Sequence, residues 1–101
     1  MEQHEILALY DQLMAVAPSP VVALNRAVAV AEVEGPEAAL ALVDRLDIDR
    51  SYVFHAVRGD LLERLGRHDE AAEAYRDAAA RTENAVERTF LERAGEALPS
   101  A

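Results

Sequence analysis

Two small groups of polar residues in this 101-residue chain have types and spacing suited to binding or chemistry. Asn25 and Arg26 are the only polar residues in the otherwise apolar run of residues 21–31. An asparagine in such a setting can hold the backbone amide of a partner in a groove. The alternative is internal: Asn25 buried and satisfying a neighbouring loop, Arg26 reaching solvent or pairing with an acid of its own chain. Tyr52, His55 and Arg58 recur every third residue and fall on one side of a helix. As a trio they could line a groove together with Asn25. A histidine at a packing position is more often a hydrogen-bonded core or groove residue than a catalyst.

Other chemistries find little support. His4, His55 and His68 are scattered, and no HExxH pattern accompanies them, so no metal is expected. Asp47 and Asp49 lack the glycine and terminal glutamate of a calcium loop. No glycine-rich phosphate loop or GxSxG setting is present, so no cofactor and no enzymatic activity are expected. The chain has no cysteine, which removes disulfides and thiolate chemistry and suits a reducing cytoplasm.

Composition limits the partners. The formal net charge is −9, all positive charge is arginine, and lysine is absent. Residues 1–49 carry nine acids against Arg26 and Arg45, and the remainder ten acids against eight arginines. Such a chain is repelled by nucleic-acid phosphates and by anionic membrane surfaces. The opening MEQHE has no basic signal-peptide region, and residues 21–31 are too short to span a bilayer. The expectation is a cytoplasmic protein making no direct nucleic-acid or membrane contact.

The elements that position these residues are helical. Apolar residues make up 51% of the chain and aromatics only 5%, with alanine abundant, which favours closely packed helices over a sheet. The first helix runs from about His4 to Ala17, with Ile6, Leu9, Tyr10, Leu13 and Ala17 as its stripe. After Pro18, Ser19 caps a second helix and Pro20 opens it. Its valines allow a strand, but length and alanine content favour a helix buried on most sides. Gly35-Pro36 ends it and opens a third, to about Leu46, followed by a loop at residues 47–50 and a cap at Ser51. Residues 52–84 form a helix pair turning at Gly66-Arg67-His68, with Asp69 as cap of its second member. Small residues, Gly59 facing Ala71 and Ala78, let the two backbones approach, with Tyr75 filling the gap. Asn84-Ala85-Val86-Glu87 resembles a capping box, opening a last helix that packs Val86, Phe90, Leu91, Ala94 and Leu98 inward. Pro99-Ser100-Ala101 then ends the chain.

The expected fold is all-α: one domain, residues 1–101, of about six helices in antiparallel hairpins. A faint repeat supports this, since Gly35 and Gly66 each precede an alanine-rich helix, and Ala38-Ala39, Val43 and Leu46 answer Ala71-Ala72, Tyr75 and Ala78. The second unit resembles a tetratricopeptide repeat in Gly59, Leu62, Gly66, Ala71, Tyr75 and Ala78. It departs where His55 replaces a large apolar residue and Glu83 replaces the closing proline. A narrower resemblance covers almost the whole chain. PSPVVALNRAVAVAEVEGPEA, LLERLGR and ERTFLERA are similar to the C-terminal extension of a group of bacterial extracytoplasmic-function sigma factors. That resemblance implies a tetratricopeptide-like module modulating a sigma factor through contacts with its core domains, RNA polymerase or a regulatory protein. The sigma domains, and any helix-turn-helix with a basic recognition helix, are absent from this chain. The alternative is a scaffold that mainly self-associates as a homodimer.

Overall fold

In a computed structural model, residues 2–99 are described, so the expected Ser100-Ala101 tail lies outside them. The described residues form six α-helices and no strand: α1 Gln3–Val16, α2 Pro20–Glu34, α3 Pro36–Val43, α4 Tyr52–Arg64, α5 His68–Arg81 and α6 Ala85–Glu96. The fold is all-α and of helix-hairpin repeat type. It divides into two compact units, Met1–Asp47 and Ile48–Ala101.

In the first unit, α2 packs against α1 and against α3. Ser19 accepts from the Val21 amide at 3.2 Å and Pro20 occupies the first helical position. Gly35, at φ 98°, ends α2 and opens α3 in one residue, with its amide on the Ala31 carbonyl at 3.1 Å. Leu24, Ala27, Val30, Leu40 and Val43 form the core. α2 is buried on most sides, as expected, and keeps one open face, where Val21, Asn25, Val28 and Glu32 recur. Two expectations need correction. In α1 the half-buried residues are Ile6, Leu7, Tyr10 and Met14, while Leu9 and Leu13 face outward. α3 is also shorter than expected, ending at Val43 in a turn.

In the second unit, α5 packs against both α4 and α6. Gly66, at φ 75°, makes the reversal after α4: its amide reaches the Glu63 carbonyl at 3.0 Å and the Arg67 amide the Leu62 carbonyl at 2.9 Å. That paired pattern satisfies carbonyls a helix end would otherwise leave bare. α5 then starts at His68, so Asp69 lies within its first turn and does not cap it. There its charge still complements the helix dipole. Gly59 and Tyr75 make the closest approach. A Cβ on Gly59 would stand 2.9 Å from two carbons of the Tyr75 ring. Leu61, Leu62, Ala71, Ala74, Ala78 and Leu91 fill the core around that contact. The last helix is rotated from expectation: Leu91 is buried and Ala94 and Leu98 half-buried, but Val86 and Phe90 are 80% and 70% exposed.

Candidate functional site

The five residues singled out by type and spacing divide between the two units, Asn25 and Arg26 in the first and Tyr52, His55 and Arg58 in the second. Asn25 is exposed, so it does not serve a buried loop. Arg26 pairs with Asp11 at 2.5 Å, joining α2 to α1, and its side chain retains 29% exposure. Arg26 and Arg45, the two arginines of this unit, line one depression of about 400 Å³ with Met14, Ala23, Leu42 and Leu46. The unit thus gathers its positive charge beside an apolar hollow, under an overall acidic balance.

In the second unit the polar residues act chiefly as fasteners. His55 is buried, and its Nε2 lies 2.6 Å from the Asp49 carbonyl. A carbonyl only accepts, so Nε2 carries the proton. The His55 ring meets Phe54 edge-on, with centroids 5.0 Å apart. Arg81 Nε donates to the same carbonyl at 2.7 Å, so α4 and α5 both hold the loop preceding α4. The Tyr52 hydroxyl donates to Glu87 at 3.2 Å, which raises the Tyr52 pKa because the phenol must remain a donor beside a carboxylate. Arg58 is half-buried and engaged within the chain.

Glu87 explains a departure from the expected capping box. Asn84 accepts from the Glu87 amide at 2.9 Å, as the pattern requires. The Glu87 carboxylate does not return to the Asn84 amide. It accepts from Thr82 Oγ1 at 2.9 Å as well as from Tyr52, and Thr82 Oγ1 accepts from the Asn84 amide at 3.2 Å. Glu87 thereby ties the start of α6 to α4 and to the loop after α5.

An open groove of about 430 Å³ lies between α4 and α6. Ala56, Asp60 and Glu63 line it from α4, Leu91, Ala94 and Leu98 from α6 and its end, and Tyr75 contributes from α5, while Phe90 and Ala97 form its outer rim. Glu63 accepts from the Tyr75 hydroxyl at 2.8 Å, and Arg64 pairs with Asp60 at 3.0 Å. Burial first, then the hydrogen bond to Glu63, pushes the Tyr75 pKa well above the ordinary tyrosine value. The groove is therefore mainly apolar with a carboxylate edge, a surface suited to an apolar side chain flanked by a basic one. The candidate residues read from the sequence include neither Asp60 nor Glu63. The available signal was the recurrence of Ala56, Asp60 and Glu63 at helical spacing, one turn apart on the same side of α4.

Among the described residues no group of three or more His, Asp or Glu side chains is placed to hold a metal ion, and no helix is long and apolar enough to cross a membrane. No family model matches the chain, and no solved structure matches it. It is similar to an uncharacterized protein of Rhizobium meliloti (strain 1021), 48% identical over 89 residues. The match takes in 86% of this chain and 21% of that protein, so the chain spans about a fifth of the length of the curated relative it matches.

Proposed function

We propose that this chain is a protein-binding module that regulates an extracytoplasmic-function sigma factor, acting by contact and catalysing nothing. The observation that carries this reading is the apolar groove between α4 and α6 with Asp60 and Glu63 along it. It can seat a segment of a sigma core domain, of RNA polymerase or of a regulator, while the acidic balance attracts basic partner surfaces. The resemblance of PSPVVALNRAVAVAEVEGPEA and LLERLGR to the sigma-factor extension supports the same reading. The presence of a similar segment, 48% identical, within a much longer protein supports the narrower reading of a module carried by a larger chain. A cytoplasmic setting without direct nucleic-acid contact goes with it.

The test is transcription from a cognate promoter by the longer protein that carries this segment. Deleting the segment changes output, and Ala56→Arg, which fills the groove from the half-buried α4 wall, reproduces the change with the helices intact by circular dichroism. Output indifferent to both changes refutes the regulatory reading. Binding to an isolated sigma core should also weaken with salt and on neutralising Glu32, Glu34 and Glu37.

A further inference from the structure

The outer flank of α6 carries Val86, Phe90, Arg93 and Ala97 at spacings of four, three and four residues. That spacing aligns them as one ridge. All four are exposed, and Phe90 is the only one of the five aromatic rings in the exposed class. An open basin of about 620 Å³ lies along this flank, and its lining residues, Val86, Thr89, Phe90 and Arg93 among them, all belong to α6. One helix supplies one wall, and the opposite wall is vacant for another helix.

The order of residues says which helix fits. Lay a second α6 antiparallel, with the two-fold axis crossing between positions 91 and 92. Val86 then faces Ala97 of the second copy, and Phe90 faces Arg93 of the second copy, with both pairs repeated by the symmetry. A large residue meets a small one, and a guanidinium lies over an aromatic ring twice. A parallel arrangement would set Arg93 against Arg93, which like charges disfavour. We propose that the α6 ridge docks a second copy of this chain in this antiparallel register. A single 12-residue helix buries little area, so the association is weak. Each copy also carries a net charge of −9, so mutual repulsion opposes pairing and added salt strengthens it. Attraction of a basic partner responds to salt in the opposite direction, so this inference and the regulatory reading fail separately.

The absence of native cysteine makes the register directly testable. An equimolar mixture of Val86→Cys and Ala97→Cys chains should cross-link under mild oxidation. Either variant alone should not, because the same position in the two copies lies about 16 Å apart along the axis, at ~1.5 Å per residue, beyond the ~7 Å Cα separation a disulfide spans. In sedimentation, the native chain should approach the dimer mass as its concentration rises toward about 1 mM, the range of a weak contact. Phe90→Ser should raise the dissociation constant by about tenfold or more, as for a central aromatic anchor. Arg93→Glu should weaken pairing and Arg93→Lys should largely retain it. These side chains are exposed, so circular dichroism should not change. A chain that stays monomeric throughout, cross-linking by either single variant as readily as by the mixture, or pairing indifferent to Phe90→Ser overturns the proposal.

Discussion

Two glycines flank the same tyrosine, and replacing each by alanine should move stability in opposite directions. A Cβ on Gly59 would stand 2.9 Å from Tyr75 Cδ1 and Cε1 and 3.2 Å from Cζ. Carbon pairs sit comfortably at about 3.5–4.0 Å, so ring or helix must retreat by roughly 0.6 Å or more. The ring has little freedom, being 6% exposed with its hydroxyl held by Glu63 at 2.8 Å. Overpacking of this kind destabilises by about 1–3 kcal/mol. The gain from replacing glycine within a helix, about 1 kcal/mol, offsets part of it. The net expectation for Gly59→Ala is a loss of up to about 2 kcal/mol, an appreciable share of the ~5–15 kcal/mol typical of domains. At Gly95 the added Cβ meets Tyr75 Cβ at 3.5 Å and the Ala72 carbonyl at 3.6 Å, ordinary contacts. Gly95→Ala should therefore stabilise by about 0.5–1 kcal/mol. Urea unfolding followed by far-UV circular dichroism reads both, through midpoints that shift apart at unchanged slope. Tyr75→Leu should remove most of the Gly59→Ala penalty. Midpoints shifting in the same direction would refute the claim that helix approach in this unit is limited by the Tyr75 ring.

The Tyr75 pKa lies above its unfolded value, so ionisation favours the unfolded chain. Its contribution is complete below about pH 10 and is lost as pH rises beyond that; Tyr75→Phe should flatten this alkaline decline in urea midpoint relative to the native chain. His55→Leu removes a donor from the Asp49 carbonyl but leaves Arg81 on it. The loss should be about 1 kcal/mol, without the larger penalty of a stranded acceptor, and amide exchange in the loop of residues 44–51 should quicken. Glu87→Ala releases both Tyr52 and Thr82, so α6 should fray first, with amide protection falling there before it falls in α4 or α5.

Helix ends were legible in the sequence because their signals are local. Ser19 with Pro20, Gly35 with Pro36, and Gly66 each determine one turn of backbone through a side-chain oxygen, a ring or a missing Cβ. Helix faces were less legible. In α1, Leu9 and Leu13 keep helical spacing with Ile6 and Tyr10, yet only Ile6 and Tyr10 turn inward. In α6, Leu91 is buried while Phe90, its immediate neighbour, is exposed. With 51% apolar residues, several stripes satisfy one periodicity, and packing against α2 or α5 chooses among them. The α4–α5 contact was legible because glycine and tyrosine differ so much in volume that only one facing arrangement fills the gap. The Asp60 and Glu63 edge was not, since charged helix residues usually signal nothing beyond solvent.

Polarity was a poor guide to the open surface, and the reason is energetic. A polar side chain on a largely apolar helix is satisfied most cheaply by its own chain when a partner group lies within reach. Asp11 lies within reach of Arg26, Glu87 of Tyr52, and the Asp49 carbonyl of His55. Exposed apolar ridges remain beside them, with Leu9, Leu13 and Val16 on α1 and Val86 and Phe90 on α6. Exposed apolar area gains about 25 cal/mol per Å² when covered, and aromatic anchors dominate protein contacts. Burial at such ridges then supplies affinity, while the acidic charge decides which partners approach. The two roles separate by salt. Raising ionic strength from about 50 to about 500 mM shortens the screening length from ~14 to ~4 Å, so a basic partner is held less firmly and a second acidic copy is resisted less.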